Sequence, residues 1–150
     1  MIDIRLYTLL AVVEFNSYTR AAEHLSLTQP AVTQHIKQLE KELNVKIFNR
    51  VGKEIKPTNE GNVIIQYARR NIALYERMKQ NILDLQRHVR RLTVGITHTA
   101  ESNAVAEVLG RYSSENPGTT ITIISDSINN LYDKLLNYEI DLAVVEGKIQ

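Results

Sequence analysis

Residues 17–42 read SYTRAAEHLSLTQPAVTQHIKQLEKE, two short helical patterns around a tight turn. Ala21, Ala22 and Leu25 share one face of the first pattern, and small alanines let a second helix approach closely. Ser26-Leu27-Thr28 interrupts the periodicity. Thr28 suits an N-cap, because its hydroxyl can accept from an otherwise orphaned backbone N–H. Pro30 falls in the first turn of the next helix, where a missing N–H costs little. Val32, Ile36, Leu39 and Leu43 then recur at helical spacing as a buried stripe. The opposite face shows Gln29, Pro30, Thr33, Gln34, Lys37, Gln38 and Lys41, with Glu40 on the flank. Amide, hydroxyl and ammonium groups are what base edges and phosphates require. This is the layout of a helix-turn-helix, although two amphipathic helices of any small bundle would share the pattern.

The segment that follows favours the first reading. Lys46-Ile47-Phe48-Asn49-Arg50 is expected as a strand, Val51-Gly52-Lys53 as a turn and Glu54-Ile55-Lys56 as the return, ended by Pro57. Such a hairpin beside a polar helix is a wing. Arg50 and Lys53 at its tip, with the Thr28 hydroxyl, are candidates for phosphate contact. Gln29, Pro30, Thr33, Gln34 and Lys37 are candidates for base contact.

The run VEFNSYTRAA at 13–22, Leu25, TQPAVT at 28–33, Leu39-Glu40, Phe48-Asn49-Arg50 and TNEG at 58–61 resembles the LysR-type transcriptional regulators over the first sixty or so residues. Departures are mild. Asn16 and Asn44 stand where that family often has Gly, and Asn is the next residue to tolerate a left-handed backbone. Thr33 stands where Ser is commoner.

From Thr58 onward the pattern is one long helix. Ile65, Ala68, Ile72, Tyr75, Met78, Ile82, Leu85 and Val89 recur at intervals of three and four, and neither Pro nor Gly occurs from Asn62 to Arg91. About thirty residues at 1.5 Å each make a rod of ~45 Å, more than one small winged domain can cover. A second copy of the helix can cover it; so can the chain's own C-terminal part. In the resembling family this is the linker helix of a dimer, which implies a homodimer or tetramer on a pseudo-palindromic double-stranded DNA site.

After Arg91 the grammar becomes α/β. Leu92–Ile96, Thr119–Ser125 and Asp141–Val145 read as strands, and 100–114 and 126–138 as helices with Val105, Ala106, Leu109 and Tyr112 inward on the first. That order implies a parallel sheet with crossover helices. It resembles the opening of the LysR-type effector domain, itself similar to periplasmic binding proteins. Ligands of parallel sheets sit beyond the carboxyl ends of strands, which singles out Thr97 and Thr99. Hydroxyls with free helix N–H groups suit a small anionic effector, and either threonine would equally serve as a cap. The expected fold is therefore α+β: a winged helix-turn-helix over 1–58, a linker or dimerisation helix over 59–91 and the first part of an effector domain over 92–150. The family's effector domain is about twice as long, so the chain reads as a piece of a longer protein or as a short form. With one wall of the cleft, weak effector binding is expected of it.

Composition agrees. The chain of 150 residues is 43% apolar and 23% charged, without cysteine, which rules out a disulfide scaffold or a Cys-based zinc site and suits a reducing cytoplasm. The apolar run Leu6–Val13 is too short to span a bilayer, so no membrane partner is expected. Residues 61–91 hold seven basic side chains against two acidic ones, net +5, whereas 92–150 hold three against eight, net −5. Nucleic acid at one end and a different partner at the other follow from that asymmetry. No nucleophile elbow, zinc-helix motif or phosphate loop is present, and the four histidines are scattered, so catalysis, metal and cofactor are not expected. The resemblance adds RNA polymerase as a further partner. Alternatives from other classes are a DNA-free dimerisation module and a winged-helix regulator without an effector site.

Overall fold

A computed structural model describes residues 2–51, 54–98 and 102–146. They form α1 (Ile4–Phe15), α2 (Tyr18–His24), α3 (Gln29–Leu43), β1 (Phe48–Val51), β2 (Glu54–Pro57), α4 (Asn59–Gln86), β3 (Arg90–Ile96), α5 (Ser102–Glu115), β4 (Thr119–Ser125), α6 (Ile128–Leu136) and β5 (Leu142–Val144). The chain divides into two compact units, residues 1–72 and 73–150.

The first unit is a helical core with a hairpin. Leu9, Val12, Ala21, Val32, Ile36 and Ile47 are all but inaccessible to solvent. Each large apolar side chain so buried contributes about 1.5–3 kcal/mol. Buried Ala21 and Ala22 keep α2 slim where it meets α3. Asp3 caps α1 by accepting from the Arg5 N–H, and Thr28, the cap expected from the sequence, accepts from the Ala31 N–H at the start of α3. The left-handed backbone expected at Asn16 and Asn44 is present, with φ of 47° and 52°. Strands β1 and β2 pair antiparallel, Phe48 opposite Pro57 and Val51 opposite Glu54. The first strand begins at Phe48, two residues later than expected, because the Lys46 and Ile47 carbonyls serve Thr58 instead. The Thr58 hydroxyl donates to the Lys46 carbonyl at 2.6 Å, and its N–H to the Ile47 carbonyl at 2.9 Å. The same hydroxyl accepts from the Gly61 N–H at 2.8 Å and so caps α4.

The second unit carries a parallel sheet in the order β4-β3-β5, in agreement with the alternating strand and helix pattern. Leu131 of α6 is fully buried, and Gly95 in β3 admits it: a Cβ there would lie 2.4 Å from the Leu131 Cδ2. Tyr112, expected inward on α5, is 47% exposed.

Two corrections concern the long helix. It ends at Gln86, short of Arg91, so Val89 is not part of its stripe. His88 takes φ of 54°, its N–H donates to the Leu85 carbonyl, and the Val89 N–H donates to the Asp84 carbonyl. That pair of bonds is a Schellman termination made without glycine. Second, Ile65 and Ala68 are buried in the core of the first unit, only 7% and 1% exposed, and their surface is already covered.

Gly61 is closely packed: a Cβ there would stand 2.1 Å from the Ile47 carbonyl oxygen. Gly61→Ala should therefore destabilise that unit by ~1–3 kcal/mol, the usual range for overpacking, despite alanine's better helix propensity. Urea unfolding measures this; equal or higher stability would contradict the packing described.

Candidate nucleic-acid interface

Helix α3 has two unlike faces. Val32, Ile36 and Leu39 are buried. Thr28, Gln29, Pro30, Gln34, Lys37, Gln38 and Lys41 are exposed, and Thr33 is half-buried. Together with Thr33 the last six line one shallow, open depression. The Gln29 side-chain amide donates to the Thr33 hydroxyl at 2.9 Å, which ties the helix tip to the middle of the face. The bond leaves one amide hydrogen and the carbonyl of Gln29 for an outside partner. Thr28 accepts from the Ala31 N–H through its lone pair, so its own hydrogen remains to be donated.

The carboxylates of α3 are turned away from that face. Glu40, with a side chain only 12% exposed, accepts from the Ile47 N–H at 2.9 Å and from Lys46 Nζ at 3.2 Å. Glu42 pairs with Arg5 at 2.7 Å, and Arg5 also grips Asp3. The Arg5 guanidinium beside Asp3 holds that carboxyl below the usual carboxylate range, and the two carboxylates raise Arg5 above its ordinary value. The polar face is thereby left to amides, hydroxyls and lysines. His35 is spent inward, its Nδ1 lying 2.8 Å from the Oγ1 of the buried Thr8.

The hairpin lies beside α3, and a small cavity of about 180 Å³ between them is lined by Tyr18, Thr33, Ile36, Lys37, Glu40, Lys46, Phe48 and Ile55. Arg50 belongs to β1. Its side chain and the whole of Lys53 lie outside the described residues.

Of the expected helix stripe, Met78, Ile82 and Leu85 are exposed at 47, 48 and 74%, and Ile72 and Tyr75 are half-buried. Periodicity missed four further exposed apolar residues of α4, Val63, Tyr67, Leu74 and Leu83. In the second unit, Thr97 is buried at the carboxyl end of β3, and its hydroxyl accepts from the Glu146 N–H at 3.3 Å. Nearby, His98 Nδ1 lies 2.9 Å from the Ser125 hydroxyl. Asp126 accepts from Asn130 and from the Ser127 N–H, bonds that hold its carboxyl below the usual range. Thr99 lies outside the described residues. Among the described residues there is no cluster able to hold a metal ion, and no helix long and apolar enough to cross a membrane.

Sequence reading missed the roles of Glu40 and Asn16. The Asn16 carboxamide accepts from the Ile55 N–H of β2 at 3.3 Å, across 39 positions of sequence.

Comparison with known proteins bears on this geometry. Residues 5–62 match the family described as bacterial regulatory helix-turn-helix protein, lysR family, and residues 85–150 match the LysR substrate binding domain. A probable RuBisCO transcriptional regulator of Phaeodactylum tricornutum is 35% identical over 146 residues, 97% of this chain and 48% of that protein. The transcriptional regulator CysL of Bacillus subtilis is 29% identical over 143 residues, 95% of this chain and 48% of its own. Full-length CbnR, solved in complex with its target DNA, superposes with a TM-score of 0.74 at 23% identity, covering 93% of this chain and 48% of that one, a likeness of fold alone. The chain spans about half the length of these relatives. With both characteristic domains matched in order over most of its residues, the chain belongs to the LysR family of helix-turn-helix regulators.

Proposed function

We propose that the chain is the DNA-binding and dimerising part of a transcriptional regulator, with the start of an effector domain attached. Residues 1–58 serve DNA; the helix expected over 59–91, which ends at Gln86, serves pairing; and the α/β part expected over 92–150, whose first strand starts at Arg90, serves the effector. The observation that carries this reading is the outward face of α3, which presents amides, hydroxyls and lysines while Glu40 and Glu42 are paired elsewhere. Gln29, Pro30, Thr33, Gln34 and Lys37 meet base edges, and Thr28, Arg50 and Lys53 meet phosphates. A C2 dimer sets two such helices on a pseudo-palindromic site. The exposed apolar residues Leu74, Met78, Ile82 and Leu85 of α4 supply the seam, joined by Tyr67 and the half-buried Ile72 and Tyr75. A tetramer and contact with RNA polymerase extend the same scheme, and from the family match we infer a cytoplasmic protein without enzymatic activity of its own. The match to the LysR substrate binding domain favours an effector-responsive regulator over a winged-helix module without one.

Gln29→Ala should cost ~1–3 kcal/mol on a preferred site and little on random duplex. Arg50→Ala should weaken both alike and lower the salt slope by about one unit. Fluorescence anisotropy over a salt series measures the two together. Equal losses on both duplexes for Gln29→Ala would remove it from base reading, and an unchanged slope would place Arg50 off the backbone.

Leu74→Glu or Ile82→Glu should bury a charge in the seam and yield monomers that bind DNA poorly. Light scattering checks this; dimer mass persisting in both variants would move the interface off α4.

For the effector, Thr97 and Thr99 bind a small anion in a chain extended through the second half of the domain. Thr97→Val should reduce affinity for the best of a panel of small carboxylates about tenfold or more, the worth of a hydrogen bond to a charged group. Calorimetry that finds undiminished affinity would relocate the site.

A further inference from the structure

A two-stranded hairpin with four residues in each strand does not hold its own shape in water and takes its position from what anchors it. Thr58 closes its base on the Lys46 and Ile47 carbonyls, and Ile47 is buried in the core; three contacts from α1, α2 and α3 also reach it. Phe48 sits edge-on to Tyr18, with ring centroids 6.4 Å apart. Glu40 accepts from the Ile47 N–H just before β1. Asn16 accepts from the Ile55 N–H in β2, on the other strand. The first is an apolar contact free to slide. The other two are directional bonds from the helical core, one to each side of the hairpin.

We propose that Asn16 is a wing-positioning residue: its carboxamide, opposite Glu40, fixes the angle at which the β1–β2 hairpin meets DNA flanking α3. The proposal rests on the reading of this unit as a DNA-binding head. Asn16 already serves one purpose as the left-handed residue that ends α1, with φ of 47° and ψ of 35°. Glycine would serve that purpose at least as well. What glycine cannot supply is the acceptor for Ile55. The two roles of Asn16 are therefore separable by one substitution, Asn16→Gly, which keeps the turn and deletes the anchor. Without it the Ile55 N–H turns to water and β2 loses its bond to Asn16, while the Glu40 bond, the Phe48 contact with Tyr18 and the Thr58 closure remain. The α3 face is retained, because Val32, Ile36 and Leu39 are buried in the helical core and neither residue of the deleted bond lies on α3.

The test uses the chain, its Asn16→Gly variant and a duplex selected from a random pool by the unaltered chain. A second duplex is trimmed to the base pairs protected at its centre. The variant should bind the longer duplex about fivefold more weakly, the size of one neutral hydrogen bond, and the trimmed duplex as well as the parent does. Hydroxyl-radical protection should fade in the flanks and persist at the centre. Without DNA, the Ile55 amide should exchange faster in the variant. Equal affinity and equal flank protection for both chains would overturn the proposal alone. So would equal weakening on both duplexes, which signals general destabilisation. Failure of the unaltered chain to select any duplex would remove the DNA reading, and this proposal with it.

Discussion

Helix α3 holds out an uncharged and cationic face because its other face is locked into the core by Val32, Ile36 and Leu39 against the small residues Ala21 and Ala22. Every other feature of the first unit depends on that seating. The caps at Ser17 and Thr28 set where α2 and α3 begin, and the left-handed residues Ser26 and Asn44 set where they stop. The two glutamates that would repel a phosphate backbone are consumed on the flanks, Glu40 by the start of the hairpin and Glu42 by Arg5. The result is a face whose amides, hydroxyls and lysines point outward without a carboxylate among them.

Short-range polar bonds close both ends of α4. Thr58 binds the Lys46 carbonyl, the Ile47 carbonyl and the Gly61 N–H at once, so the exit of the hairpin and the start of α4 share one residue. In the second unit, Asp84 is buried and accepts from Gln80 and Arg91, and Arg77 pairs with Asp141. Asp141 in turn accepts from the Thr93 N–H at 2.7 Å. A buried acceptor such as Asp84 is costly to strip of partners, which fixes the end of α4 against Arg91.

Much of the head was legible in the sequence, and for physical reasons. A Ser or Thr cap, a Pro one or two residues later and an apolar stripe at helical spacing are local signals, and Thr28, Pro30 and Val32 supply all three. Asn16 and Asn44 signal left-handed backbone by their own tolerance for it. The end of α4 was not legible, because His88 performs the turn usually left to glycine. Periodicity also reports that a residue is apolar, not which surface covers it. Ile65 and Ala68 therefore read like Ile82 although they pack inside the first unit. The bond from Asn16 to Ile55 joins positions 39 apart and leaves no local pattern.

Whether the outward face of α3 meets DNA is read from amide hydrogen exchange with and without a selected duplex. Contact with DNA should slow exchange in residues 28–38 and in the hairpin, and leave α5, β4 and α6 unchanged. Unchanged exchange over 28–38, or protection confined to residues 92–146, would contradict it.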